Sequence, residues 1–560
     1  MQKLPRDFAA LAFVHLGLFA AVVGAGWFAH SQPPKLPVMD EWDLLHTWVE
    51  SESTWKWILA ASGEYRYPLA KSVWLGILRA TGYDFAAPQY ATLSLLTASS
   101  VLFLWTARGL RNRSHPVDVL FPILLLHFGH GFNLQMGYQV GQALAVYGIA
   151  GWLWCAGRLA KGGGFGWAIL SSIYAGSLIL NGGIGLAFTP VVAIWVGYLA
   201  LRYERSQNRY CAAYFTALHF AALGYGAWAA LTSSSEIFQQ PENGLEGAIG
   251  SLTSAVGCWP DEYWHYIAAA GFVLAIDALS MVALVIRAYR CAHRIAPAAI
   301  LLVITGLILA AVASHGTGFI SRNTTIAAAG LSAAILGLIA AIELRPGGVA
   351  SWFTGIFGAI LSAGIVWLNF APAIDASYKI RESIHHLDID IRSGDSPMFL
   401  AGKHGGGRGV LMGDRLAIQL RAYRNAGIPP FDKLAEDPVH RVELTAVPSL
   451  PLRWKYPAHE YEAGVPAPKL ELPEPPRGAI GVRIRVATEE GSGGKKLLLR
   501  YLDEATGQSR VAEARPSNFV GRVHLLFPFV GQPLAPILEA GSAMEAVAIE
   551  TVEWILPGSK

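Results

Sequence analysis

Apolar positions in this chain fall into long blocks instead of the alternating or three-to-four spacing of a soluble domain. The first block, Phe8 to Ala29, is roughly 20 residues long, enough to cross a hydrocarbon core about 30 Å thick. Lys3 and Arg6 precede it, and no small-x-small cleavage site follows it, so it reads as a retained span that starts inside. Further blocks lie at 86–107, 116–130, 140–158, 166–182, 186–201, 210–231, 264–286, 296–314, 326–344 and 351–371. Alternate connections carry the cations: Arg108, Arg111 and Arg113; Arg158 and Lys161; Arg202, Arg205 and Arg209; Arg287, Arg290 and Arg294; then Arg345. The other connections are rich in Gly, Asn, Gln and Ser. This alternation predicts about eleven spans, with the N-terminus inside and the C-terminus outside.

Between the first two blocks, residues 30–85 form an outer loop whose half-polar aromatic stretches, Trp42 to Trp57 and Tyr65 to Arg79, predict helices lying along the interface. After Phe370 the chain turns polar. Helical spacing returns at Asp414 to Asn425, and strands are predicted at Val482–Ala487, Lys496–Leu502, Val523–Val530 and Val547–Leu556. The expected fold is therefore a polytopic α-helical membrane domain over 1–371. A C-terminal extracytoplasmic α+β domain containing a β-sandwich follows over 372–560.

Composition agrees. Of 560 residues, 53% are hydrophobic and 15% charged, which excludes a single soluble domain. The net charge of +3 adds little, and nothing in its distribution suits a nucleic acid. Four cysteines are scattered, and Cys258 faces out alone, so no disulfide framework is implied.

Candidate chemistry concentrates on the outer side. Asp40, Glu41 and Asp43 follow the first span; they suit the positive start of a helix, or a carboxylate presented at a cleft. On a helix, Asp40 and Asp43 share a face while Glu41 turns away. In the same loop Tyr65-Arg66 and Lys71 break the positive-inside pattern, as Arg322 does in the late outer turn that begins at His315. Such cations suit an anionic lipid phosphate, ordinary headgroups or, for Arg322, an outer acid. The amides Asn133, Gln139 and Asn181 sit at outer span ends, where they suit sugar hydroxyls or bonds between helices. His127 and His130 lack a third metal ligand.

Taken together, Asp40-Glu41-Trp42-Asp43, Glu64-Tyr65-Arg66, Gly137-Tyr138-Gln139-Val140-Gly141, Asn181-Gly182 and Ser321-Arg322-Asn323 resemble the signatures of a branch of bacterial GT-C superfamily membrane glycosyltransferases. Those proteins show a His-Arg pair where Tyr65-Arg66 stands here, and Ser-Arg-Tyr where Ser321-Arg322-Asn323 stands. The resemblance implies inverting transfer of a hexose or pentose from a polyprenyl-phosphate donor. The acceptor is a glycan, lipid or surface-protein hydroxyl at the periplasmic face of the bacterial inner membrane. Asp40 is then the general base, with Asp43 in reserve; Glu41 orients the acceptor or helps a divalent metal, magnesium or manganese, with no cofactor fixed by the motifs. Arg66, Lys71 and Arg322 hold the donor phosphate, and Tyr65, Asn133, Gln139, Asn181 and His315 take sugar or acceptor. The competing readings are a polymerase or ligase using a pyrophosphate-linked glycan, and a transporter of lipid-linked glycan. Nucleotide-sugar donors are disfavoured because the acids face outward.

Overall fold

The computed structural model describes residues 6–31, 35–62, 65–231, 263–290, 295–313, 324–341, 349–404, 410, 413–436, 469–472, 474–488, 497–514, 521–529, 532–540 and 547–555. The chain forms two compact units. One comprises Met1–Pro34 with Ser51–Tyr378, the other Lys35–Glu50 with Lys379–Lys560.

The first unit is helical. It holds α1 (Arg6–Ser31), α3 (Thr54–Leu59), the short hairpin β1 (Ala61–Ser62) and β2 (Tyr65–Arg66), then α4 (Pro68–Ala80) and α5 (Ala87–Arg111). There follow α6 (Leu120–Leu126), α7 (Gly131–Gln135), α8 (Val140–Ala160), α9 (Phe165–Ile179), α10 (Gly182–Arg205) and α11 (Arg209–Leu231). The last are α12 (Tyr263–Arg290), α13 (Ile295–Ala313), α14 (Thr324–Ala341) and the first part of α15 (Val349–Arg392). Among the described residues, Phe8–Ser31, Ala87–Arg111 and Gly137–Ala160 are long and apolar enough to cross a membrane, and five shorter apolar helices accompany them. This is a membrane protein by the length and composition of its helices.

Helix packing follows side-chain size. Trp152 lies against Trp195, whose indole Nε1 donates to Ser171 Oγ at 2.7 Å, and Phe103 stacks on Phe121. Since lipid tails are as apolar as these side chains, close packing and buried hydrogen bonds hold such helices together.

The block at 116–130, expected as one span, is broken into a 3-10 turn at 116–119, the short α6 and a second 3-10 turn at 128–130. The short α7 and a third 3-10 turn at 137–139 follow it. The loose groups find partners within the unit. Asn133 Nδ2 donates to Thr325 Oγ1 at 2.6 Å, and that hydroxyl sits 2.8 Å from His130 Nδ1. His130 Nε2 lies 2.8 Å from Leu124 O, and Gln89 Nε2 donates to Gln135 O at 3.0 Å.

The second unit begins with α2 (Asp40–Val49) and continues through the end of α15, α16 (Pro397–His404) and α17 (Gly413–Asn425). Its strands are β3 (Lys469–Glu471), β4 (Gly481–Thr488), β5 (Leu497–Asp503), β6 (Ser509–Ala514), β7 (Gly521–Pro528), β8 (Pro533–Ala540) and β9 (Val547–Ile555). They make two antiparallel sheets, ordered β3-β8-β5-β6 and β7-β4-β9. Tyr501, Phe529 and Trp554 meet ring to ring between them.

Two expectations need adjustment. The helix drawn over Trp42 to Trp57 is interrupted at 50–53, where Ser53 Oγ accepts from Lys56 N and caps α3, and its first half belongs to the second unit. The boundary drawn at 371/372 falls inside α15, which runs unbroken for 44 residues although its sequence changes from apolar to charged. Helix geometry is indifferent to side-chain polarity, and Pro372 removes one backbone donor there without ending the helix.

A buried ion pair closes the α5–α6 connection: Asp118 takes the guanidinium of Arg111 and also accepts from His115 N at 2.9 Å. Both side chains are almost fully enclosed. Asp118→Ala should therefore cost about 3 kcal/mol, read as thermal unfolding in detergent, because it strands the buried Arg111 charge. The double variant Arg111→Met, Asp118→Leu should recover most of that loss.

Candidate functional site

The acids lie on α2. Met39 precedes this helix with φ 50° and ψ −118°, in the region that favours glycine. A methionine held there by its surroundings is a local strain of the kind that gathers at functional turns. Asp40 opens the helix and is exposed. Glu41 is buried, and its Oε2 accepts from Val38 N at 3.0 Å, so this carboxylate closes the turn. Asp43 Oδ1 accepts from Arg415 Nη2 at 3.0 Å and from Gln419 Nε2 at 2.7 Å.

What holds α2 there is aromatic. Trp42, fully buried, stacks on Tyr423 with centroids 6.0 Å apart and meets Phe431 at 5.8 Å. The Tyr423 hydroxyl donates to Trp42 O. His46 completes the face; burial lowers its pKa, and Glu50, Asp43 and Arg415 modify that shift less. Arg415, Gln419 and Tyr423 escaped sequence reasoning. Their i, i+4, i+8 spacing on a predicted helix was the available signal, but nothing in the sequence matches it to α2.

A second assembly lies wholly in the helical unit. Tyr67, Gln139 and Asn181 are the residues that begin α4, α8 and α10, and these three starts touch. Leu69 N donates to Leu180 O at 3.3 Å, and Asn181 Nδ2 to Gly141 O at 3.0 Å. The Tyr67 and Tyr138 rings meet at 5.9 Å. Gly182 has φ +69°, and a Cβ on it would fall 2.0 Å from the Tyr67 ring, so only glycine allows this approach. Arg66 stands beside them on β2, its guanidinium 4.6 Å from the centroid of Trp228 and donating to Leu59 O. Tyr65 pairs with Ser62 across the hairpin.

Three helix starts bring their positive dipole ends to one place, and Arg66 adds a full charge. Next to them Asn181 Oδ1 and Gln142 Oε1 are buried with no donor among the described residues. Such an arrangement suits an anion together with a ligand that offers hydroxyl donors.

Other expected residues go elsewhere. Asn133 is buried and spent on Thr325, a bond between helices. Lys71 is fully buried; its Nζ donates to Trp57 O and Ala60 O, each at 2.9 Å, and lies over the Trp57 ring. That ammonium ties α3 to α4 with two of its three donors. Arg322 and His315 lie outside the described residues. No group of three or more His, Cys, Asp or Glu that would hold a metal occurs among the described residues.

Two solved structures are similar to this chain. One is the archaeal oligosaccharyltransferase AglB from Archaeoglobus fulgidus, in complex with an inhibitory peptide and a dolichol-phosphate. It has a TM-score of 0.40 and 12% identity, over 65% of this chain and 56% of that one. The other is the arabinosyltransferase EmbB from Mycobacterium smegmatis, with a TM-score of 0.35 and 10% identity, over 100% of this chain and 65% of that one. The chain thus spans less than two thirds of either. No protein-family profile and no curated protein sequence matches it.

Burial pushes the Lys71 pKa down to about 8, with Arg66 adding to the effect. Between there and the ordinary lysine range, the unfolded chain keeps a proton that the folded one has released, so stability rises with pH across that window. Denaturation measured from pH 7 to 10 should show this rise, and Lys71→Met should lack it.

Proposed function

We propose that this chain is a membrane glycosyltransferase that moves a sugar from a polyprenyl-phosphate donor to an acceptor hydroxyl, inverting the anomeric centre. The observation that carries the reading is the meeting of the α4, α8 and α10 starts beside Arg66, with two buried amide oxygens adjoining it. An aligned set of helix starts stabilises phosphate oxygens, and amide acceptors take sugar hydroxyls.

In this reading the donor phosphate lies at those helix starts, with Arg66 following the charge that grows on the leaving oxygen. Asn181 and Gln142 receive hydroxyls of the sugar, Gln139 belongs to the same subsite, and Tyr65 is kept as a sugar or acceptor residue on the sequence signature alone. The general base is assigned to Asp40 on the sequence signature alone; in that role it takes the proton from the acceptor hydroxyl. The acceptor oxygen bonds to the anomeric carbon as the bond to the phosphate oxygen breaks, and polyprenyl phosphate departs with the bonding electrons. A lipid phosphate is a stable anion, so the leaving group needs no strong acid. Asp40 is preferred to Asp43 because it opens α2 and is the more exposed of the two. Glu41 shapes the turn that presents Asp40. The domain that carries α2 is periplasmic in this reading, and Arg322 and His315 remain candidates for donor and acceptor contacts.

The test is turnover of a polyprenyl monophosphate sugar by the purified chain. Asp40→Asn should lower kcat by about 10²–10⁴ with little change in KM for the donor, the scale of a lost general base. Arg66→Leu should chiefly weaken donor binding, and Asp43→Asn should keep most activity. Full activity in Asp40→Asn, or preference for a pyrophosphate-linked donor, refutes the assignment.

A further inference from the structure

Midway along the 28 residues of α12 stands Asp277, about 20 Å from either end. Val273, Asp277, Ser280 and Leu284 are buried, while Leu274, Leu279, Val282 and Val285 are exposed. The a/d spacing of the first four makes one seam, and the second four make the lipid-facing side. The seam faces α14, which α12 meets at Ser280 and Leu284. Contact is close there: a Cβ on Gly337 would lie 2.0 Å from Ser280 Oγ and 2.9 Å from Leu284.

Asp277 is only 7% exposed, and among the described residues no donor or cation reaches its carboxyl. Ser280 Oγ, one turn on, is buried and also lacks a partner. Among the described residues, the helices that pack most against α12 are α13 and α14, and neither contains an ionisable residue. On α12 itself the nearest such residues are Tyr266 and Arg287, about three turns away.

An ionised carboxylate in this setting costs several kcal/mol, because no opposite charge repays its desolvation. The same side chain as a neutral acid costs far less. An alkali ion would also cancel the charge, but it needs a cage of oxygens. The seam supplies the Asp277 carboxyl and the Ser280 hydroxyl, and the backbone carbonyls around them are engaged within their helices. A proton needs one oxygen. We infer that Asp277 is an intramembrane proton-binding carboxyl, which takes up its proton well above the ordinary range of an exposed carboxyl, with Ser280 beside it in the α12–α14 seam. This site is separate from the transfer reaction proposed above and does not depend on it.

The experiment is infrared spectroscopy of the full chain in lipid nanodiscs, titrated upward from about pH 5.5, where exposed carboxyls are already largely ionised. A carbonyl stretch of protonated carboxyl should be present and should be lost in Asp277→Asn. Should that variant fail to fold, Asp277→Glu, which keeps an acid, should move the band instead of removing it. Raising the pH past its titration point should shrink the band about tenfold per unit. Sodium at fixed pH should leave it unchanged. Absence of the band, or its indifference to both substitutions, overturns the inference. Its displacement by sodium overturns it also, in favour of an alkali-ion site.

Discussion

A backbone that leaves helical geometry among apolar helices must find a partner for every amide and carbonyl it frees. Around the stretch from His127 to Gln139, side chains meet that constraint at Leu124 O and Gln135 O and brace one another through Thr325. Thr325 joins Asn133 to His130, Leu124 O receives the far side of the imidazole, and Gln89 reaches Gln135 O. Because these bonds fix the break, α8 begins at Val140, where its start can meet those of α4 and α10. A continuous span over 116–130 would have no reason to stop there.

The three neighbouring acids show how burial divides one cluster into separate tasks. Glu41 is enclosed and serves the backbone of its own turn, Asp43 is tied by Arg415 and Gln419, and Asp40 is exposed at the helix start. The basic residues divide likewise, since Lys71 is held by two carbonyls while Arg66 lies over the Trp228 ring. Charge type alone would not have separated them.

Apolar blocks, the strands at 481–488, 497–503, 521–528 and 547–555 and the helix at 413–425 were legible because periodicity and breakers are local signals. The strands 469–471, 509–514 and 533–540 were not, since Pro and charged residues mask their alternation and the sheet supplies their partners. The acid stretch drew attention from sequence, but its anchor did not. Trp42 meets Tyr423 and Phe431 almost 400 residues later, a match that no local pattern encodes. The reverse holds for Asn133, whose composition suited a hydroxylated ligand equally well and whose partner emerged only from the packing of α14.

That long-range seat gives the second unit an unusual composition. Its sequence is discontinuous, with residues 35–50 inserted from a point before nearly all of the helical unit. A fragment starting at 379 would therefore lack the tryptophan that covers Tyr423 and Phe431, and would present two large rings to water in its place. The unit's aromatic core closes only when the first loop of the chain folds back onto its last third. In synthesis order, α2 must wait for its binding face until the ribosome has produced everything between them.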